Sequence, residues 1–237
     1  MGEKVLSFYE DLADHYHLIF ADWDCACGIG TQAIGLAAIG HQIVGSDICQ
    51  AAIERARTEA RRRSLNISFR VSDMTSLREI PERDFDVVVA MDNALPYLSP
   101  VEIAQVVASI ACRLRPGGLF LASIRDYDTL IQERPLIQQP VFHGELGNRC
   151  ISHQVWDWVA EDRYIVHLFI TTESSSEWNV RHFVSEYRCL PRAELTDQLA
   201  KAGFEEIEWR MPEESSFYQP LVIAKRIGSE PGTLLLM

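Results

Sequence analysis

The sequence lacks the features of a membrane or nucleic-acid-binding protein. Its 237 residues contain no apolar run near the ~20 residues that a membrane helix requires, and no secretory leader pattern opens the chain. Lys and Arg number 22 against 34 Asp and Glu, a net charge of −12, whereas nucleic-acid binders usually carry a basic surplus. We therefore expect a cytoplasmic protein that binds neither membranes nor nucleic acids.

Cysteine and histidine are also not spaced as in a metal site. The six cysteines include Cys25 and Cys27, but no second Cys or His pair stands where it would complete a zinc site. The spacing does not resemble the framework of a disulfide-rich secreted domain. We expect reduced thiols and no bound metal.

Strand-like and helical stretches alternate between residues 25 and 126. The run DVVVA at Asp86–Ala90 is typical of a strand buried on both faces, and Arg115–Gly118 predicts a turn. This alternation predicts an α/β fold with a doubly wound, Rossmann-like, mostly parallel sheet and helices on both faces. The other predicted strands are Ile43–Asp47, Ile67–Val71 and Leu119–Ile124, and the predicted helices are Ala51–Ser64 and Pro100–Leu114.

The pattern changes after Asp128 to alternating apolar and polar residues, as in antiparallel strands, at 151–159, 163–173 and 180–189. Gly203 is a plausible cap for a helix over Arg192–Ala202, and strands follow at Phe204–Arg210 and Leu221–Lys225. We predict an N-terminal lid segment (1–23), a cofactor-binding core (24–128), an antiparallel substrate cap (129–190), a C-terminal helix with closing strands (191–228) and a tail (229–237).

The start of this pattern is shorter than the fold requires. A strand should precede the glycine-rich turn at Gly28, but only the run from Leu18 to Trp23 is available. We expect roughly 20 residues of a normal βαβ arrangement, a helix and most of a strand, to be missing between Trp23 and Asp24.

A glycine-rich segment, DCACGIGT from Asp24 to Thr31, is followed by a helical run. Glycines let the backbone approach a ligand closely, and the amides that begin the helix can donate hydrogen bonds. Gly28, Gly30 and Ala33 also fit the dinucleotide pattern G-x-G-x-x-A, and Asp47 lies 19 residues after Gly28. Spacing alone therefore leaves a nicotinamide or flavin enzyme open.

Acidic residues stand where a diphosphate would be repelled. Asp24 precedes the glycines, and Asp47, Asp73 and Asp92 each close a predicted strand. Such a row of carboxylates favours a cationic ligand, for example a sulfonium that also carries an α-ammonium group.

The motifs DCACGIG, VGSD, VSDM, FDVVVAMDNALPYL and LRPGGLFLAS, between residues 24 and 123, resemble those of class I S-adenosylmethionine-dependent methyltransferases. The resemblance implies a seven-stranded sheet with a small antiparallel insert after strand five. It implies S-adenosylmethionine as cofactor, the ribose hydroxyls on Asp47 and adenine held by Asp73 and Met74. Ala26 departs from the family's usual first glycine. The implied cofactor-binding residues are Asp24, Ala26, Gly28, Gly30, Asp47, Ile48, Asp73, Met74, Asp92 and Asn93.

A narrower resemblance concerns the acceptor. Segments 92–98, 124–128 and 185–188 are similar to those of glycine and sarcosine N-methyltransferases. This similarity implies that Arg125 binds a substrate carboxylate and that Asn93 orients the substrate. Tyr127 and Tyr187 are candidates to hydrogen-bond the acceptor amine, and Tyr9 and Tyr16 to face the pocket from a lid helix. We take Asn93, Arg125 and Tyr127 as the candidate catalytic residues.

Four functions therefore remain open. The favoured one is N-methylation of a small amine or amino acid by a monomer or homodimer, followed by O- or C-methylation of a small molecule. An NAD-linked oxidoreductase and a catalytically idle cofactor-binding module are the other two. The Asn/Asp-Pro-Pro-Tyr signature of nucleic-acid adenine methyltransferases is replaced here by Asp92-Asn93-Ala94-Leu95, which argues against a DNA substrate.

Overall fold

A computed structural model describes Leu12, residues 30–175 and residues 177–228 of the chain. The helices are α1 (Thr31–Ala38), α2 (Gln50–Arg62), α3 (Pro100–Ala111), α4 (Tyr127–Glu133), α5 (Arg192–Lys201) and α6 (Pro212–Ser215), with a 3-10 turn at Leu95–Tyr97. The strands are β1 (Val44–Asp47), β2 (Ser68–Val71), β3 (Phe85–Ala90), β4 (Leu114–Ser123), β5 (Ile137–His143), β6 (Cys150–Trp158), β7 (Arg163–Ser174), β8 (Glu177–Arg188), β9 (Phe204–Arg210) and β10 (Leu221–Arg226).

The chain forms two compact units. Among the described residues, the first unit comprises Leu12 and the ranges 30–74, 78–80, 129–175 and 177–189, and the second comprises 75–77, 81–128 and 190–228.

In the first unit, β1 and β2 pair in parallel, with Asp47 opposite Val71. Helix α2 packs beside them because its apolar residues Ile53, Ala56 and Ala60 recur at spacings of three and four and so share one face. Phe69 of β2 completes this buried cluster together with Ile34.

The same unit contains a four-stranded antiparallel sheet in the order β5-β6-β7-β8. Alternate residues of β7 are buried, as expected for a sheet that covers a core with one face. Leu12 joins a buried cluster on this sheet with Cys150, Leu168, Ile170 and Phe183.

The second unit contains a four-stranded mixed sheet in the order β3-β4-β10-β9. Strands β3 and β4 are parallel, and β10 runs antiparallel to both β4 and β9. Helix α3 begins with a capping box in which Ser99 and Glu102 bond each other's backbone N–H groups, which satisfies donors that a helix start leaves open.

The expected seven-stranded sheet is not found among the residues that the structure describes. Strands β1 and β2 bond to each other only, and β3, β4, β9 and β10 form a separate four-stranded ladder. Within the described residues no hydrogen-bonded ladder joins these two sheets, so the count of seven strands stays a prediction. The run Leu18–Trp23, on which the predicted first strand depended, lies outside the described residues, as does the junction between Trp23 and Asp24.

Two local predictions around β3 and β4 are also corrected. Arg115–Gly118 lies within β4 as an irregularity: Gly117 has a φ of +73°, and the register slips between the pairs Phe85–Leu114 and Val87–Leu119. Strand β3 is not buried on both faces, since Val87 and Val89 are 44% and 39% exposed. Strand β5 and helix α6 were not predicted.

The helices of the described part are also too short or too polar to cross a bilayer.

Gly45 makes a close packing contact that can be tested. A methyl group added at Gly45 would lie 2.7 Å from the buried Phe69 ring, whereas one added at Gly35 in α1 would meet nothing within 4 Å. We expect Gly45→Ala to lower the free energy of unfolding by about 1–3 kcal/mol through overpacking. Gly35→Ala, the matched control, should raise it by about 0.5–1 kcal/mol because alanine favours a helix interior.

Urea unfolding of the purified variants measures both values. Equal effects of the two substitutions would contradict the proposed contact.

Candidate functional site

The predicted site residues fall into three groups. The first group lies outside the described residues, so the roles of its members stay predictions: Tyr9, Tyr16, Asp24, Ala26 and Gly28. The first unit contains Gly30, Asp47, Ile48, Asp73, Met74 and Tyr187. The second contains Asp92, Asn93, Arg125 and Tyr127.

Gly30 begins helix α1 in a conformation that suits glycine. Its φ is +93°, and an added Cβ would lie 2.7 Å from the Cβ of Ala56, so a side chain would be both strained and in collision. The next residue, Thr31, is 1% exposed, and its hydroxyl has no hydrogen-bond partner among the described residues. Thr31 lies in the glycine-rich motif but was not among the predicted site residues.

Asp47 ends β1 with a carboxylate that is costly to ionise. Burial raises the pKa of this carboxyl to about 6, against the opposing effect of backbone N–H groups of Cys49 and Ile48. The N–H of Cys49 donates to Oδ1 at 2.8 Å. Ile48 therefore contributes a backbone donor to Asp47.

Asp73 and Met74 follow β2 directly and are both half-buried. Because Asp47 pairs with Val71 in a parallel register, Asp73 lies just past the same edge of the two-stranded sheet. Two acids are thus placed at the carboxyl ends of neighbouring parallel strands, where α/β folds usually bind ligands.

In the second unit, Asp92 and Asn93 follow β3 with φ angles of 56° and 65°. Two successive left-handed residues other than glycine cost on the order of 1 kcal/mol each unless other contacts hold them. Ser123, at the end of the parallel strand β4, provides those contacts. Its Oγ accepts the N–H of Asp92 at 2.7 Å, and its carbonyl accepts the N–H of Asn93 at 3.1 Å.

The side chain of Asn93 is also fixed. Its Oδ1 accepts the backbone N–H of Arg125 and the hydroxyl of Tyr127, both at 3.0 Å. Its Nδ2 is buried without a hydrogen-bond partner in the described part of the chain, and the residue is 4% exposed. Since both donors use the oxygen, the amide orientation is determined, and Asn93 retains two N–H groups for a ligand.

Tyr127 is fully buried, and its hydroxyl donates to Asn93. The adjoining acids are held by Arg192, which pairs with Asp126 and Asp128 at 3.1 Å each. The structure thus brings Asn93, Arg125 and Tyr127 together. Contact of Arg125 or Tyr127 with a substrate stays a prediction.

Tyr187 belongs to the antiparallel sheet of the first unit. Its ring stacks on Tyr164 with centroids 5.6 Å apart, and it is 9% exposed. Its predicted contact with an acceptor stays a prediction.

Three residues of the second unit were missed by the sequence analysis. Ser123 and Gln219 hydrogen-bond each other at 3.0 Å across 96 positions of the chain, and the hydroxyl of Tyr218 donates to Asp92 at 2.6 Å across 126 positions. Separations of this size leave no local pattern, so only the three-dimensional structure reveals them. Among the described residues, no group of three or more His, Cys, Asp or Glu could hold a metal ion.

Residues 23–118 match the family model described as a methyltransferase domain. The methyltransferase gedG of Aspergillus terreus is 33% identical over 118 residues, which are 50% of this chain and 34% of gedG. The ubiquinone biosynthesis O-methyltransferase of Brucella ovis is 31% identical over 102 residues, 43% of this chain and 40% of that protein. The chain thus spans well under half the length of these curated relatives.

The structure of CalS10 with bound S-adenosylmethionine, an amino pentose methyltransferase from Micromonospora echinaspora, has the same fold. The TM-score is 0.67 at 18% identity, covering 95% of this chain and 92% of CalS10. Residues 23–118 thus match a methyltransferase domain, and the fold is shared with a solved methyltransferase.

The raised pKa of Asp47 makes stability depend on pH. The folded protein binds this proton more tightly than the unfolded chain, so ionisation of Asp47 costs stability above about pH 6, and the cost disappears as the pH falls towards the ordinary value of 3.8. Asp47→Asn keeps an oxygen for the N–H of Cys49 but removes the charge. We expect it to raise the free energy of unfolding at pH 7 by up to about 3 kcal/mol.

Urea unfolding at pH 7 and near pH 4 tests this, and the gain should vanish at the lower pH. Asp197→Asn on the surface of α5 is the charge-matched control and should change stability by less than about 0.5 kcal/mol. A variant of Asp47 that is less stable than the parent at pH 7 would contradict the assignment.

Proposed function

We propose that this chain transfers a methyl group from S-adenosylmethionine to the nitrogen of a small amine or amino acid. The observation that carries the proposal is the placement of an acid at the end of each of three strands: Asp47 is the last residue of β1, Asp73 follows β2 and Asp92 follows β3. Carboxylates there attract a sulfonium and an α-ammonium group and repel a diphosphate, which favours this cofactor over NAD.

The residues fit that cofactor in chemistry as well as in charge. Asp47 offers carboxylate oxygens to ribose hydroxyls, which need acceptors. Gly30 brings the backbone close at the start of α1, and the buried Thr31 hydroxyl beside it lacks a partner among the described residues. The cofactor supplies a methyl group already activated on a positively charged sulfur. The protein's task is then to hold two reactants in line and to exclude water.

The acceptor half of the proposal depends on Asn93 and Arg125. The N–H groups of Asn93 have no partner in the described part of the chain and suit a carboxylate, hydroxyl or carbonyl oxygen of the acceptor. The guanidinium of Arg125 can hold a carboxylate with two parallel hydrogen bonds, which fixes orientation as well as charge. The lone pair of the neutral amine would form the new C–N bond as the C–S bond breaks, with the sulfur keeping the bonding electrons and the nitrogen releasing its proton to solvent.

The names of the similar proteins set the range of acceptors to test. CalS10 is named an amino pentose methyltransferase, and the Brucella relative is named an O-methyltransferase. A methyl-transfer screen should therefore include glycine, sarcosine, amino sugars and small hydroxyl compounds that lack an amine. Turnover of the hydroxyl compounds alone would replace N-methylation by O-methylation.

Ligand-induced stabilisation tests the choice of cofactor. At 100 times its dissociation constant, S-adenosylhomocysteine should stabilise the fold by about 2.7 kcal/mol and raise the melting temperature by roughly 5–10 °C. NAD should leave it unchanged. Asp47→Ala should lose most of the shift, and the control Asp197→Ala should keep it. Stabilisation by NAD instead would refute the proposal.

Substitution of Arg125 tests the acceptor contact. Arg125→Ala should raise the KM of a carboxylate-bearing acceptor by about 10- to 100-fold, because a charge-assisted pair is lost, and should leave the Kd of S-adenosylhomocysteine within about twofold. Arg115→Ala is the control, because it removes an exposed arginine of β4 that pairs only with Asp86 of β3 among the ion pairs described. An equal loss of cofactor affinity in Arg125→Ala would mean that its role is wrongly assigned.

A further inference from the structure

The segment before β10 contacts the ends of β3 and β4 through three consecutive residues. Tyr218 donates its hydroxyl to Asp92, Gln219 accepts the hydroxyl of Ser123, and the carbonyl of Pro220 accepts the N–H of Ile124. All of these residues belong to the second unit.

We infer that Gln219 is a positioning residue for the methyl-transfer reaction, acting through Ser123 on the turn that presents Asn93. The inference rests on the proposed function, and none of its steps requires Gln219 to touch a substrate.

The hydroxyl of Ser123 is the first link. It donates its only proton to Oε1 of Gln219 at 3.0 Å, so its lone pairs are available to the N–H of Asp92, which lies at 2.7 Å. Ser123 is fully buried and Gln219 is 7% exposed, so water does not readily replace either partner. Without the acceptor at Gln219, the hydroxyl is free to rotate, and the N–H of Asp92 loses its fixed partner.

The turn is the second link. Asp92 and Asn93 are both left-handed, a conformation that persists only when its surroundings determine it. A change in the N–H contact of Asp92 therefore changes the direction in which Asn93 leaves the strand. The Nδ2 of Asn93 carries donors that have no partner in the described part of the chain, and a displacement of about 1 Å in such a group can cost up to about 100-fold in rate.

The test compares two substitutions of Gln219. One removes the oxygen that accepts the Ser123 hydroxyl, and the other keeps an oxygen but lowers stability. Gln219→Met removes the oxygen but fills the volume with an apolar side chain. Gln219→Glu keeps an oxygen acceptor, whether ionised or protonated, but buries an acid and so lowers the melting temperature. Gln105→Met, on the exposed side of α3, is the control.

The first readout needs no acceptor. The side-chain amide ¹⁵N–¹H signals of Asn93, assigned by their loss in Asn93→Asp, should move in Gln219→Met and stay near the parent position in Gln219→Glu and Gln105→Met. Unmoved signals in Gln219→Met would overturn the inference.

The second readout is kinetic and uses the best acceptor from the screen. Gln219→Met should raise the acceptor KM about tenfold while the Kd of S-adenosylhomocysteine stays within about twofold. Gln219→Glu should keep the parent KM despite its lower melting temperature. A KM that follows the melting temperature, rather than the presence of the oxygen, would assign Gln219 a merely structural role and refute the inference.

The two proposals fail in different ways. If the parent protein methylates nothing in the screen, the proposed function fails, and the Asn93 signals still decide the role of Gln219. If the parent protein is active and Gln219→Met matches it in both readouts, the positioning role alone is wrong.

Discussion

Ser123 holds two consecutive residues in the left-handed backbone conformation, which residues other than glycine seldom adopt twice in succession. Its hydroxyl binds the N–H of Asp92 and its carbonyl binds the N–H of Asn93. These contacts offset a strain of about 1 kcal/mol per left-handed residue. The left-handed conformation of Asp92 and Asn93 turns the chain sharply just after β3. The candidate acceptor contacts in this unit depend on that turn.

At Asp47, too, a residue that suits the proposed site lowers the stability of the fold. A carboxyl whose pKa is raised to about 6 opposes folding at neutral pH, because burial penalises the charged form. Two backbone N–H groups lower that penalty but do not remove it. Asn at this position would give the more stable protein, and only the carboxylate offers strong acceptors to ribose hydroxyls. Such conflicts between folding and local chemistry are expected at functional sites.

Local periodicity was sufficient to predict much of the fold. The predicted strand Phe204–Arg210 has the bounds of β9, and the acids Asp47, Asp73 and Asp92 do follow strands, because a strand that ends in a polar residue is visible in the sequence. The left-handed turn was not predictable, since neither residue is glycine. The strand order β3-β4-β10-β9 was also not predicted, because pairing between distant strands leaves no trace in local pattern.

The match to the family model includes only some of the residues of the candidate site. The family model covers residues 23–118, which include Gly30, Asp47, Asp73 and Asn93. Ser123, Arg125 and Tyr127 lie beyond that segment, and Tyr218 and Gln219 lie about a hundred positions further on. The residues that orient Asn93 therefore lie outside the segment that matches the family model. For that reason the match supports the proposed cofactor more strongly than the proposed acceptor, and acceptor preference depends on contacts outside the matched segment.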